Sequence, residues 1–194
     1  MKRLLFFVLA AAVSPVVMAM QMEGFGASYY HDDSSIISHD ANKNLVPDVI
    51  VGSDIFVMEF SHLADIAKVT GVVINQDDRA SWLCLASKSV NYWFISDNEM
   101  GQGDLTSIAI ARDGRQKGCS PYSNDLSVRV KGVPLLGVSS ENFASVLKGK
   151  PGDNIIQYCN DTQKYGDFIQ MNCLQYYLEN KVVEGVLISQ VTSN

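Results

Sequence analysis

From residue 49 onward, the chain alternates between short apolar runs typical of β-strands and two amphipathic segments typical of helices. The first predicted helix spans 61–71, where Ser61 can cap the N-terminus and Gly71 suits the left-handed position after the last turn. The second predicted helix spans 139–149, and Ser139 stands at the matching capping position. The equal Ser-to-Gly spacing suggests that the two segments are related.

Strand-like runs rich in β-branched and aromatic residues surround both predicted helices. Residues 48–60 suit one or two strands, and the runs 81–87 and 90–96 predict a hairpin because only two residues separate them. The other predicted strands are 105–111, 128–133, 154–159, 168–178 and 182–190. In each half, a helix is therefore followed by three strands.

This order predicts an α+β fold made of two tandem units, each a helix with an antiparallel sheet. The expected organisation is a signal peptide, an irregular segment that is mostly loop with one short edge strand, a first unit, a polar connector and a second unit. Their limits are 1–19, 20–48, 49–112, 113–127 and 128–194.

A family resemblance supports the same division. The stretch Gly137-Val-Ser-Ser-Glu-Asn-Phe-Ala-Ser-Val-Leu-Lys-Gly-Lys-Pro151, followed by Tyr177-Leu-Glu-Asn-Lys-Val-Val183, resembles the repeat of the β-lactamase-inhibitory-protein-like fold, which the SmpA/OmlA outer-membrane assembly lipoproteins share. The resemblance covers 136–190, and 49–112 by element order. It implies tandem units whose sheet surface binds a protein partner.

The N-terminus has the pattern of a cleaved secretory signal. Lys2 and Arg3 precede an apolar run over 4–13, and small residues occupy the −3 and −1 positions, Val17 and Ala19, before the expected cleavage after Ala19. The alternatives are a buried N-terminal helix and a membrane anchor. Pro15 and the short apolar run oppose an anchor, because a bilayer-spanning helix needs about 20 apolar residues. We therefore expect an exported protein, located in the periplasm, without membrane insertion after cleavage.

The cysteines are even in number, which favours two disulfides in an oxidising compartment. Four cysteines allow three pairings, of which Cys84–Cys119 and Cys159–Cys173 are preferred. The second would join neighbouring segments, and the first would join a strand to the loop beyond its sheet. Zinc binding is the alternative, but the chain has no C-x-x-C motif.

Charge restricts the classes of partner. The chain has 15 Lys and Arg against 21 Asp and Glu, a net charge of −6. Removing residues 1–19 removes Lys2 and Arg3 and no acidic residue, which leaves 13 − 21 = −8. A protein this acidic repels nucleic acids and anionic lipids, so we expect a basic protein as its partner.

Catalytic and cofactor motifs are absent from the sequence: it has no nucleophile elbow, metalloprotease helix, phosphate loop or dinucleotide fingerprint. The pairs His31–Asp32 and His39–Asp40 could suggest a metal site, but no periodic element holds them in place. Asp97 and Glu99 lie close in a turn, and a hydrolase with this carboxylate pair is one alternative function. We expect no enzyme activity, cofactor or metal.

A partner-binding surface is the favoured interpretation. Tyrosine and tryptophan dominate binding hot spots, and here they adjoin an acidic turn. The predicted partner-binding residues are Tyr92, Trp93, Asp97, Glu99, Asp104 and Tyr176. The sequence thus favours an inhibitor or immunity protein that blocks an exported or cell-wall-active enzyme or toxin. An envelope-assembly or structural accessory is the main alternative, and the oligomeric state and the partner's identity stay open.

Overall fold

The computed structural model of the protein describes residues 21–31, 36–112, 118–147, 154–162 and 166–193. Within these ranges the chain forms twelve β-strands, two α-helices and one 3-10 helix, Gly24–Tyr30. The α-helices are α1 (Leu63–Thr70) and α2 (Ser140–Leu147). The strands are β1 (Ser38–Asp40), β2 (Pro47–Val51), β3 (Asp54–Phe56), β4 (Asn75–Gln76), β5 (Ala80–Ser87), β6 (Val90–Asp97), β7 (Ser107–Arg112), β8 (Ser120–Pro121), β9 (Leu126–Val130), β10 (Ile155–Asp161), β11 (Ile169–Glu179) and β12 (Val182–Ser193).

One large mixed sheet contains strands from both halves of the chain. In the described residues it has nine strands in the order β1-β10-β11-β12-β7-β6-β5-β4, with β8 beside β5. The pairs β1–β10 and β5–β8 are parallel, and the other neighbours in this sheet are antiparallel. Strands β7 and β12 join the two halves, from Ser107 opposite Ser189 to Ala111 opposite Gly185.

The predicted fold class, α+β with two tandem units, is wrong. The protein is mostly β, and its two α-helices have only eight residues each within the described ranges. β7 is buried over 107–111, so it needs a neighbour on each edge. Separate units would leave β7 and β12 as edge strands with unpaired backbone groups, and their pairing removes both edges.

A second sheet also mixes the two halves. It has the order β3-β2-β9, so β9, which was expected to begin the second unit, pairs with β2 of the first. This sheet and α1 pack on one face of the large sheet. The main core lies between them and contains, among others, Val49, Val51, Leu63, Ile66, Phe94, Ile108, Tyr158, Tyr176 and Ile188.

The N-terminal segment covers part of the opposite face. Met22 and Phe25 pack there with a second cluster that includes Trp93 and Ala109. The packing is close, because a Cβ atom added to Gly26 would lie 2.5 Å from the Trp93 ring. Residues 20–48 were expected to be mostly loop with one edge strand; β1 is that edge strand, and the 3-10 helix was not predicted.

The local predictions for hairpin and helices are largely confirmed. β5 and β6 form the hairpin, and Lys88 and Ser89 have positive φ angles in its turn. α1 ends at Gly71, which is left-handed as expected, but His62 precedes the helix in the capping position predicted for Ser61. The Ser61 hydroxyl accepts a hydrogen bond from the Val57 N–H instead. The predicted stop of α2 at 149 lies outside the described residues.

Both predicted disulfides are present. Cys84 of β5 is bonded to Cys119, just before β8, and Cys159 of β10 is bonded to Cys173 directly opposite it on β11. The disulfides indicate an oxidising, exported location. In the described part of the chain, no helix has the length and apolar character needed to cross a bilayer. The predicted signal peptide, residues 1–19, lies outside the described residues.

Candidate functional site: an acidic pocket at the end of the sheet

A cavity of about 440 Å³ opens at the end of the β7–β12 pairing. Ser107 and Ser189, which lie opposite each other on these strands, both line it. The volume lies in the range of small-ligand and side-chain-binding sites. We call this cavity the acidic pocket; its lining residues are Tyr29, Glu59, Phe60, Asp97, Met100, Gly101, Asp104, Thr106, Ser107, Ser189, Gln190, Val191 and Thr192.

Asp97 ends β6 and is held by three donors. Its Oδ1 atom accepts backbone hydrogen bonds from Glu99 (2.8 Å) and Met100 (2.9 Å), and its Oδ2 atom accepts one from the Tyr29 hydroxyl (2.6 Å). Burial alone would raise the pKa of Asp97, but these hydrogen bonds outweigh burial and lower it below its usual value. Asp97 is therefore ionised at neutral pH.

The pKa of the Tyr29 hydroxyl shifts in the opposite direction, upward. Burial and the hydrogen bond to Asp97 raise the pKa of Tyr29 well above its usual value. The hydroxyl stays protonated at neutral pH and acts as a fixed donor.

Glu59 is distant from Asp97 in the sequence but lines the same cavity. Its carboxylate accepts hydrogen bonds from the Thr192 N–H (2.7 Å), the Thr192 hydroxyl (2.6 Å) and the Gln170 side-chain amide (2.8 Å). Its backbone is left-handed, with a φ of 63°, a conformation that costs on the order of 1 kcal/mol in a residue other than glycine. The three side-chain contacts hold Glu59 in this position.

Asp104 supplies the third carboxylate. Its Oδ1 atom lies 2.7 Å from Nδ1 of His62, whose side chain is 60% exposed. Backbone hydrogen bonds fix the pair, from Leu63 N–H to the Gly103 carbonyl and from Leu105 N–H to the Ser61 carbonyl. His62 is therefore largely exposed and in contact with Asp104 at the same time.

The turn between β6 and β7 is closely packed. The Gly101 N–H donates to the Asp97 carbonyl, and the Gly103 N–H donates to the Ser96 hydroxyl. A Cβ atom added to Gly101 would lie 2.7 Å from that hydroxyl oxygen. The turn therefore holds Asp97 and Asp104 in fixed positions.

Among the described residues, no lysine or arginine pairs with the carboxylates of the pocket. Glu59 and Asp97 are bound by neutral donors, and the basic side chain that contacts Asp104 within the described ranges is that of His62, at 2.7 Å. Arg79 lowers the pKa of Asp97 through space without forming an ion pair with it in the described residues. Such an arrangement attracts a cation.

Large apolar side chains flank the three carboxylates. Phe60 is 78% exposed and Met100 is 66% exposed, and both line the pocket. The exposed Met171 lies opposite Val191, another lining residue, on the neighbouring strand. Exposed apolar side chains beside uncompensated charge are typical of a binding site.

The predicted site residues divide into two groups. Asp97 and Asp104 line the pocket, and Glu99 is exposed in the same turn. Trp93 is only 1% exposed, in the cluster beneath the N-terminal segment, and Tyr176 is fully buried, with its hydroxyl donating to the Pro134 carbonyl. These two core residues cannot contact a partner.

Tyr92 is half-buried and packs against the main core, on the face opposite Trp93. Strand alternation predicts that neighbours such as Tyr92 and Trp93 point to opposite faces. It does not predict that other elements cover both faces of β6 and so remove the expected aromatic surface.

Sequence reasoning missed Tyr29, Glu59 and Phe60. They come from the N-terminal segment and from the loop before α1, and only the tertiary fold brings them to the end of β7 and β12. The sequence held one weak indication of Glu59 and Phe60 as site residues: Phe60 is a large aromatic residue directly before the predicted helix 61–71.

The arrangement is better suited to binding a cation than to proton transfer. All three hydrogen bonds to Asp97 stabilise its charged form, which makes it a weak proton donor at neutral pH. Among the described residues, no group of three or more His, Cys, Asp and Glu side chains is arranged to hold a metal ion.

Comparisons with known proteins give no relative. No protein-family model, no curated protein and no solved structure matches this chain significantly.

Proposed function

We propose that this protein is an exported binding module that blocks a basic exported enzyme or toxin, as an inhibitor or immunity protein of the periplasm. One observation carries the proposal: three fixed carboxylates and two exposed apolar side chains surround an open cavity, and no described Lys or Arg pairs with those carboxylates. The free chain therefore has an unmet preference for a positively charged group at this position.

Electrostatics would act first in such an interaction. After signal cleavage the expected net charge is −8, from 13 basic and 21 acidic residues. Complementary charge speeds the encounter of two proteins and selects against acidic competitors. The carboxylates of the acidic pocket would then orient the partner, because neutral donors already hold two of them in place.

Affinity would come from the apolar side chains. Phe60 and Met100 expose most of their surface, and burying a large apolar side chain contributes about 1.5–3 kcal/mol. The two disulfides and the closely packed turn limit the entropy that binding would remove. Blocking needs only that this surface cover the partner's active site.

Affinity capture with charge-matched variants tests the proposal. The chain lacking residues 1–19 is immobilised and exposed to the exported proteins of its own source, beside the variants Asp104→Asn and Glu141→Gln. Glu141 is exposed on α2 and does not line the pocket, so both variants lose one negative charge.

We expect a basic enzyme or toxin to be retained by the parent chain and by Glu141→Gln, and to be inhibited by both. Retention by Asp104→Asn should fall roughly tenfold, as for loss of one partner of an interfacial charge pair. Capture of an assembly protein of the envelope would instead favour the accessory function. Turnover by the chain itself, lost in Asp97→Asn, would favour the hydrolase.

A further inference from the structure

Two tyrosine–aspartate pairs in this protein have the same local geometry. Oδ1 of Asp97 accepts backbone hydrogen bonds from the residues two and three positions later, and Oδ2 accepts the Tyr29 hydroxyl. Oδ1 of Asp77 accepts the backbone N–H groups of Arg79 and Ala80, again two and three positions later, and Oδ2 accepts the Tyr30 hydroxyl.

The two pairs differ in whether a cation contacts them directly, because Arg79 acts on Asp97 only through space. Arg79 lies over the Tyr30 ring, 5.1 Å from its centroid, and donates to the Tyr30 carbonyl at 3.3 Å. It thereby adds a guanidinium group to the Tyr30–Asp77 pair, and it lowers the pKa of Asp77 through space. The residue at the equivalent position after Asp97 is Glu99, an exposed acid.

The Tyr29–Asp97 pair is also the one that faces a cavity. Tyr29 and Asp97 both line the acidic pocket, with Asp104 and Glu59 on the same surface. An ionised carboxylate offers about four acceptor positions. Among the described residues, Glu59 and Asp97 each accept three hydrogen bonds and Asp104 contacts His62, so each of the three carboxylates has capacity for a further donor.

We propose that the acidic pocket receives the side chain of an arginine from the partner protein, which supplies to Tyr29–Asp97 the guanidinium that Arg79 supplies to Tyr30–Asp77. This inference rests on the proposed function, because it names the group by which the partner is recognised. The guanidinium donates to Asp97 and Asp104, and its aliphatic stem packs against Phe60 and Met100.

Arginine fits this pocket better than lysine. A guanidinium is planar and less strongly hydrated than an ammonium, so it enters a mainly apolar cavity at lower cost. It also donates in two directions at once, which suits carboxylates that approach from different segments. An aromatic ring such as Tyr29 or Phe60 adds a favourable surface for stacking.

The test is a binding titration of the chain lacking residues 1–19, monitored by amide NMR shifts. The probes are N-acetyl-arginine methylamide and its lysine counterpart. We expect saturable shifts at lining residues such as Gly101, Thr106 and Thr192, and binding of the arginine probe that is roughly threefold or more tighter than that of the lysine probe.

Two substitutions at residue 99 sharpen the test. Glu99→Arg places an arginine at the position that Arg79 occupies in the other pair, so it should fill the pocket from within the chain. It should weaken the arginine probe roughly tenfold, whereas the charge-matched Glu141→Arg should weaken it less than about threefold. Thermal unfolding of both variants reports whether they are folded. Asp104→Asn provides a second route to loss of binding if Glu99→Arg does not fold.

Each outcome bears on one of the two proposals. Absence of saturable shifts at the lining residues, equal binding of the two probes, or equal loss in Glu99→Arg and Glu141→Arg overturns the arginine assignment. If a basic enzyme is nevertheless captured through Asp104, the proposed function stands without it. If the chain binds arginine but captures no basic enzyme, the arginine assignment of the pocket is supported and the proposed inhibitor function is contradicted.

Discussion

The Tyr29 hydroxyl donates a hydrogen bond of 2.6 Å to the Asp97 carboxylate, across 68 positions of the chain. This contact attaches the end of the 3-10 helix to the turn that follows β6. It forms one wall of the acidic pocket and, with the backbone hydrogen bonds from Met100 and Glu99, lowers the pKa of Asp97 against the effect of burial.

Replacing Tyr29 with phenylalanine should destabilise the protein while leaving the ring in place. A hydrogen bond to a charged group contributes about 1.5–3 kcal/mol, and partial exposure reduces this to about 1–2 kcal/mol here. Urea unfolding measures the difference. Tyr92→Phe is the control, because Tyr92 donates no hydrogen bond to another described residue; an equal loss in both variants would contradict the assigned role of Tyr29.

The free energy of unfolding should fall at acid pH because Asp77 and Asp97 have lowered pKa values in the folded state. For such groups the stabilisation is fully present above the unfolded pKa, about 3.8, and is lost as the pH falls through the lower folded pKa. Denaturation curves from neutral pH downward should be level to about pH 5 and then decline. The difference between parent and Asp97→Asn should shrink over the same acid range, and a constant difference would contradict this account.

Removing the disulfides should destabilise the protein by amounts that follow loop length. The closed segments have sequence separations of 35 for Cys84–Cys119 and 14 for Cys159–Cys173. The chain-entropy relation gives about 4 and about 3 kcal/mol at these lengths. Urea unfolding of the two paired Cys→Ala variants measures both losses, with the oxidised parent protein as reference. A variant as stable as the oxidised parent would show that its disulfide contributes nothing.

Attachment of the N-terminal segment can be tested at Gly185. A Cβ atom there would lie 2.4 Å from the Phe25 ring, which also packs edge-on against Tyr177 with centroids 4.9 Å apart. We expect Gly185→Ala to cost about 1–3 kcal/mol, as other overpacking substitutions do. In a Phe25→Ala background the cost should largely disappear, and a double-mutant cycle of urea unfolding measures this coupling. Additive effects of the two substitutions would contradict the contact.

Local features were largely readable from the sequence because their causes lie within a few residues. The hairpin of β5 and β6, the left-handed end of α1 at Gly71 and both disulfides are examples. Strand pairing over long separations was not readable. The joining of β7 to β12 and of β2 to β9 depends on which edges remain unpaired once the core forms, and no local pattern encodes that.

The site was partly predictable for the same reason. The Asp97–Asp104 turn stood out as an acidic segment between two apolar strands, and it does border the pocket. The other side of the pocket comes from Tyr29, Glu59 and Thr192, which are far apart in the chain. The prediction of an exposed aromatic surface at Trp93 was wrong because the N-terminal segment packs over this side chain. Gly26, which has no Cβ atom, leaves room for the indole ring.

The salt dependence of association with the captured basic partner tests the central claim most directly. Stopped-flow mixing at ionic strengths of about 0.01 M and about 1 M changes the screening length from about 30 Å to about 3 Å. We predict that the association rate constant of the parent chain falls by roughly a hundredfold over this range, and that Asp104→Asn associates more slowly at low salt with a shallower dependence. Rate constants that agree within about twofold across this range, or an Asp104→Asn variant that behaves as the parent does, would contradict charge-directed binding at the acidic pocket.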